Sequence, residues 1–340
     1  MFRSLYFPNT SLTRLMLLVA SLQGILVVGL ECYVFVTVQN DLDPAAFQVT
    51  SGRTVRLYLS LFILAYVFQF IIIYDALRLS SMIQVVGICI YNLFLLAYAV
   101  VQPIHVEKDL NMLSESLVLG VRPILPPDLN TWSRVCPVLW VVTSLQAVAT
   151  VTVFYLAFKL HSELAWLVYK VINADLSIRR RLLHFQIYIT LIKFDSFLLP
   201  SFLVQVATLL VNPKDLEFSL SILGALVATV VALLAIYCAR TETRLGTMGI
   251  IALYVSTIAY LAYKLPYAIK ESNYLMILMA ATTLVMMIGT VVAAVRCIAN
   301  FDKGLKRYVV TGQKIPEDGM HLHYTKQTMY APEAHRMEID

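Results

Sequence analysis

Eight long apolar runs, separated by short polar segments, are the feature that most constrains the fold of this chain of 340 residues. The hydrocarbon core of a bilayer is about 30 Å thick, and about 20 helical residues cross it, a length that every run reaches. We therefore predict an all-α fold, a polytopic transmembrane helix bundle of eight spans. The predicted spans are 15–38, 57–77, 82–101, 135–160, 182–211, 216–239, 245–269 and 274–299.

The number of spans depends on one short boundary. The segment Arg78–Ser81 predicts a tight turn between the second and third runs, and without it the bundle has seven spans. The break at Asn212–Asp215 is clearer, because Pro213 cannot continue a helix interior. The first run is longer than the apolar region of a signal peptide and is followed by no small-residue cleavage site, so we expect it to be a retained span.

Composition excludes several classes of protein. Hydrophobic residues make up 59% of the chain and charged residues 14%, against about 25% charged residues in an average soluble protein. These values exclude a soluble globular domain, a disordered protein and a nucleic-acid-binding module, so we predict no nucleic-acid partner. The bilayer is the expected environment, and the net charge of +5 is typical of basic cytoplasmic loops.

The distribution of Lys and Arg predicts the orientation. With the N-terminus in the cytoplasm, the inner segments hold 17 of these residues and the outer segments 8. Because basic residues favour the cytoplasmic side, both termini are predicted to be cytoplasmic. The corresponding segments are an N-terminus at 1–14, an amphipathic segment at 161–181 and a largely disordered tail at 300–340.

Two features mark a candidate cytoplasmic interface. In 161–181, apolar residues recur at helical spacing, so the segment is either a continuation of the fourth helix or an interfacial helix. Its arginines are expected to contact anionic lipid headgroups, or alternatively a cytoplasmic protein partner. At the end of the second span, Asp75 precedes Arg78 by three residues, which predicts an intrahelical pair. The candidate interface residues are Asp75, Arg78, Glu163, Trp166, Arg179, Arg180 and Arg181.

Three ionisable residues within spans form a candidate intramembrane polar network, namely Glu31, Lys193 and Asp195. Charged groups in a membrane are costly, so they indicate function or mutual pairing. Lys193 and Asp195 are two positions apart and point in different directions on a helix, so each needs a partner on another helix. Glu31 is the predicted partner of Lys193. The network is either structural or a substrate or proton site, and five amide residues are candidates to join it: Gln23, Gln69, Asn92, Gln146 and Gln205.

Motifs for chemistry are lacking in the sequence. It contains no nucleotide-binding loop, nucleophile elbow, zincin motif or dinucleotide fingerprint, so enzymatic activity has no positive support. His321 and His323 lack a third ligand nearby, and we predict neither a metal site nor a cofactor.

Five short strings beside the spans carry a resemblance to a known family. They are Tyr74–Arg78, His161–Trp166 with Tyr169–Lys170, Ala174–Asp175 with Arg179–Arg180, Ile192–Asp195 and Asn300–Lys306. Together they resemble a fungal family of uncharacterised Golgi apparatus multi-pass membrane proteins. The resemblance runs from the first span to just after the last and is most specific over 161–195. It implies a membrane protein of the secretory pathway, most often Golgi, and it implies no activity or binding residue.

These observations leave two functions. The first is a non-enzymatic Golgi or endomembrane protein that binds proteins or lipids through its cytoplasmic face. The alternative is a small-solute or proton-coupled transporter that uses Lys193, Asp195 and Glu31. A seven-helix receptor is disfavoured, because an even number of spans places both termini on one side. The sequence does not specify an oligomeric state.

Overall fold

The structure is a computed structural model that describes residues 11–42, 50–79, 81–115, 117–118, 122–123, 130–171, 176–211, 216–270 and 273–301. Within these ranges, the side chains of 50, 117–118, 122–123, 163–171 and 176–179 lie outside the description. Of the predicted terminal segments, 1–10 and 302–340 therefore lie outside the described residues, and 11–14 begin the first helix.

Eight helices, all long and apolar enough to cross a bilayer, confirm the all-α class and the count of eight spans. The second and third helices are separate, and the backbone N–H of Ser81 donates to the carbonyl of Ala76 at the turn between them. The helices are α1 (Ser11–Asp41), α2 (Thr50–Leu79), α3 (Met82–Glu115), α4 (Thr131–Val171), α5 (Leu176–Leu210), α6 (Leu216–Thr241), α7 (Arg244–Lys270) and α8 (Tyr274–Ile298).

The third helix extends beyond its predicted span of 82–101. α3 continues through Pro103 to Glu115 because Val106, Leu110 and Leu113 keep the helical spacing and are buried against α1, α2 and α4. Beyond it, two-residue strands β1 (Leu117–Val118) and β2 (Arg122–Pro123) pair antiparallel. This short pair does not change the all-α class.

The fourth helix also extends past its predicted span. α4 continues from 160 to Val171, so the first part of 161–181 prolongs the fourth helix, which is one of the two predicted alternatives. With 41 residues, α4 is about 61 Å long at 1.5 Å per residue, about twice the thickness of a bilayer core.

The bundle consists of two four-helix units with the same arrangement. In the first unit, α1 to α4 each pack against the next helix in sequence, and α4 closes on α1. In the second unit, α5 to α8 follow the same order, and α8 closes on α5. The units meet where α5 packs against α2 and α3, and where α3 packs against α8.

Aromatic rings fill the contact between the units, which we call the junction. Phe68 of α2 stacks on Phe197 of α5 with ring centroids 4.8 Å apart, and Tyr91 of α3 lies 5.6 Å from Phe194 of α5. Gly87 permits this close approach, because a Cβ atom there would lie 2.6 Å from Cε2 of Phe194. Phe194 is almost completely buried, so its ring has little space to move.

We predict that Gly87→Ala destabilises the junction. Overpacking a tight core typically costs about 1–3 kcal/mol, and the added methyl group would meet a buried ring. Gly29→Ala is the matched control, because a Cβ atom on that face of α1 has no neighbour within 4 Å. Thermal unfolding of the detergent-purified protein should show a lower melting temperature for Gly87→Ala alone. Equal melting temperatures for the two variants would contradict the close approach.

Candidate functional site

Lys193 forms an ion pair with Asp75 at the junction. Gln84 of α3 completes the contact, since its amide nitrogen donates to Asp75 Oδ2 at 2.9 Å and its amide oxygen accepts from Lys193 Nζ at 3.1 Å. The side chains of Lys193 and Asp75 keep 15% and 35% of their surface exposed. A cation, an anion and an amide from three helices thus satisfy one another between the two units.

The predicted pairing of Lys193 with Glu31 is wrong, because the two residues lie at different heights. Gln84 bonds to Lys193 and Gln102 bonds to Glu31, and these two glutamines are 18 residues, or about 27 Å, apart on α3. Asp75 likewise pairs across helices with Lys193 instead of with Arg78, whose side chain is exposed.

Asp195 lies in the second unit, away from Lys193. Its Oδ2 atom accepts a hydrogen bond of 2.5 Å from the Thr290 hydroxyl on α8, and the Tyr254 hydroxyl on α7 faces the same carboxyl group. The carboxyl group is buried, and its Oδ1 atom has no hydrogen-bond partner among the described residues. As predicted, Lys193 and Asp195 contact different helices.

Glu31 is completely buried inside the first unit. Its Oε2 atom accepts a hydrogen bond of 3.0 Å from the amide nitrogen of Gln102. Its Oε1 atom is buried and has no hydrogen-bond partner in the described part of the chain. One carboxyl oxygen is therefore available to a proton or to another donor.

A cluster of amides connects all four helices of the first unit, and we call it the amide cluster. Gln23 of α1 donates to Gln146 of α4 at 2.6 Å and to Asn92 of α3 at 3.4 Å. The Tyr66 hydroxyl donates to Gln146 at 2.5 Å, and Gln69 donates to Asn92 at 3.3 Å. The amides predicted to join a network thus form one, except Gln205, which is buried in α5 and has no described partner for its amide.

Sequence reasoning missed two ionisable residues near the C-terminal end of α3. His105 and Asp109 are buried, and both ring nitrogens of His105 and Oδ2 of Asp109 lack described hydrogen-bond partners. The His105 ring lies 5.2 Å from that of Tyr58. The available signal was the spacing of Gln102, His105 and Asp109, which places them on one helix face.

One helix therefore carries polar groups through the whole first unit. From the start of α3 to its far end, Gln84 contacts the ion pair, Asn92 belongs to the amide cluster, Gln102 binds Glu31, and His105 and Asp109 follow. Gln84 and Asp109 are 25 residues apart, or about 37 Å, which exceeds the core of a bilayer. All five are buried, so the chain of polar groups lies inside the protein.

The candidate cytoplasmic interface is only partly described. Arg78 and Arg180 are exposed, and Arg181 is half-buried. The side chains of Glu163, Trp166 and Arg179 lie outside the described residues. Within the described residues, no group of three His, Cys, Asp or Glu side chains is arranged to hold a metal ion. His321 and His323 fall outside that part of the chain.

Eight apolar helices with polar side chains buried between them define a polytopic α-helical membrane protein. The sequence is similar to a UPF0658 Golgi apparatus membrane protein of Schizosaccharomyces pombe, with 26% identity over 271 residues, covering 74% of this chain and 77% of the relative. This similarity confirms the family resemblance and supports a Golgi membrane location. No family profile and no solved structure matches the chain.

We predict that Lys193 and Asp75 are energetically coupled. Lys193→Met leaves the carboxylate of Asp75 without its cation, which should lower the free energy of unfolding by about 1–3 kcal/mol. This loss is smaller than that for a fully buried pair, because both groups are partly exposed. A double-mutant cycle of Lys193→Met and Asp75→Asn should give a coupling free energy of about 1 kcal/mol or more.

The matched cycle combines Lys193→Met with Glu31→Gln. Because these side chains lie at different heights in the bundle, their effects on the free energy of unfolding should add to within about 0.5 kcal/mol. Denaturation in mixed micelles measures both cycles. Strong coupling to Glu31 and none to Asp75 would contradict the observed pairing.

Proposed function

We propose that this chain is a Golgi membrane protein that carries protons across the bilayer along α3. The observation that carries the proposal is Glu31, a fully buried carboxyl group with one oxygen bound to Gln102 and the other without a described partner. Ionisable groups inside a membrane are costly, and chains of Asp, Glu and His are typical of proton relays.

The groups along α3 supply the steps of such a relay. Asp109 and His105 lie at one end, Glu31 exchanges its proton in the middle, and Asp75 with Lys193 lies at the other end. Between Glu31 and the ion pair, the hydroxyl of Tyr66 and the side chains of the amide cluster donate and accept hydrogen bonds. The carboxyl groups, the imidazole and the tyrosine hydroxyl hold or pass a proton, whereas the amides hold their neighbours in place by hydrogen bonds.

The proposal revises the alternative drawn from the sequence. It retains Glu31 and Lys193 from the predicted polar network and adds His105 and Asp109. Asp195 is not part of the path, because it lies in the second unit against Thr290. Proton transport belongs to the alternative predicted from the sequence, a small-solute or proton-coupled transporter.

Proton uptake into liposomes tests the proposal. The full chain is reconstituted in liposomes that contain a pH-sensitive dye. An outward potassium gradient with valinomycin makes the interior negative and so drives protons inward. The wild type should acidify the interior faster than protein-free vesicles do. Glu31→Gln should reduce uptake to the level of protein-free vesicles, because the amide cannot exchange a proton but still bonds to Gln102.

Asp195→Asn is the matched control, since it neutralises an equally buried carboxyl group outside the path. It should retain wild-type uptake, and melting temperatures should show that both variants are folded. Wild-type uptake no faster than that of protein-free vesicles, or unchanged uptake by Glu31→Gln, would overturn the proposal.

A second candidate function concerns the segment 161–181. The continuation of α4 to Val171 and the exposed side chain of Arg180 support binding of anionic lipid headgroups or a protein on this face. This function requires that the segment and both termini face the cytoplasm, as the distribution of Lys and Arg predicts.

Glycosylation reporters test that orientation. An acceptor tag inserted between 124 and 129 should be modified, because this loop is predicted to face the lumen. The same tag between 172 and 175 should remain unmodified. A mobility shift that endoglycosidase reverses reports modification. Modification of the tag between 172 and 175, and not of the tag between 124 and 129, would exclude cytoplasmic binding by 161–181.

A further inference from the structure

The second unit contains a cavity of about 410 Å³ between α5, α6 and α7, which we call the lateral cleft. This volume falls in the range of pockets that hold small molecules. Its walls are mainly apolar, and Ser221, Tyr254 and Thr257 add a few hydroxyl groups. The principal apolar residues are Leu199, Leu203, Leu220, Val227, Val231 and Leu253.

The lateral cleft opens between two helices that face the lipid. Leu220 and Val227 of α6 and Leu253 of α7 line it, yet each keeps about half of its surface exposed. Along α6, the lining extends from Glu217 to Val231, which is about 21 Å. This length equals about half of a bilayer of 40–45 Å, that is, one leaflet with its headgroup region.

Charged and aromatic residues occupy one end of the cleft. Glu217 of α6 forms an ion pair with Lys264 of α7 and accepts a hydrogen bond of 3.5 Å from Tyr260. The rings of Tyr260, Tyr263 and Tyr267 lie 5.8, 5.5 and 5.7 Å from Lys264 Nζ. Glu217 and Tyr260 line this end of the cleft, and the ammonium group of Lys264 lies directly beside them through its ion pair with Glu217.

We propose that the lateral cleft binds a phospholipid with a zwitterionic choline headgroup. One acyl chain lies in the apolar cavity, and the phosphate contacts the ammonium group of Lys264. The trimethylammonium group contacts the carboxylate of Glu217 and the neighbouring tyrosine rings, because aromatic faces bind quaternary ammonium groups. The ion pair has no net charge, which matches a zwitterionic headgroup better than an anionic one.

Photo-crosslinking of the full chain tests the acyl-chain site. The protein is reconstituted in vesicles with phosphatidylcholine that carries a diazirine in one acyl chain, and labelled peptides are mapped. Adducts are expected on the lining residues of α6 and α7. Gly224→Leu should strongly reduce them, because Gly224 lines the cavity and a Cβ atom there meets only Leu203, at 3.8 Å, so a larger side chain enters free space.

Gly249→Leu is the matched control, because Gly249 lies on the exposed surface of α7 outside the cavity. It should retain wild-type labelling of the lining residues. Equal labelling of the Gly224→Leu and Gly249→Leu proteins would overturn the proposal, since it would show contact with annular lipid alone.

Competition with unlabelled lipids tests the headgroup. Phosphatidylcholine should compete about tenfold better than phosphatidylglycerol, a ratio that corresponds to about 1.4 kcal/mol. The double variant Glu217→Gln and Lys264→Gln should lose this preference while the acyl chain is still labelled. Equal competition by both phospholipids, or displacement of the probe by a sterol alone, would overturn the proposal. Because the lateral cleft and Glu31 lie in different units, this result does not depend on proton uptake.

Discussion

The contact of α5 with α2 and α3 holds the two four-helix units together, and the positions of the other helices depend on it. Gly87 permits the close approach of Phe194, and aromatic rings fill the space around it. Ring packing alone tolerates sliding along a helix, whereas an ion pair is satisfied only at one height. The pair of Lys193 and Asp75, with Gln84 bonded to both, therefore fixes the height of α5 against the first unit.

Much of the fold could be predicted from the sequence, because run length alone specifies a membrane span. All eight spans were found in this way. The predicted third span ends at 101, whereas α3 continues through Pro103 to Glu115 with its buried positions still at helical spacing. Helix continuation there depends on tertiary burial against α1, α2 and α4, and hydropathy does not report it.

The candidate site was only partly predictable, for a related reason. Ionisable residues within spans are easily recognised, so Glu31, Lys193 and Asp195 were identified. Their partners depend on the relative height and rotation of helices, which apolar runs leave unspecified because such helices are hydrophobic on every side. His105 and Asp109 lie past the end of the predicted third span at 101, so they were not among the ionisable residues recognised within spans.

The position of α3 in the bundle has a mechanical consequence. Through Gln84, Asn92 and Gln102, this helix is hydrogen-bonded at three heights to α5, α1, α2 and α4. A displacement by one helical turn of about 5.4 Å would break all of these contacts together. These hydrogen bonds therefore oppose any sliding of α3 against α5 and the other helices of the first unit.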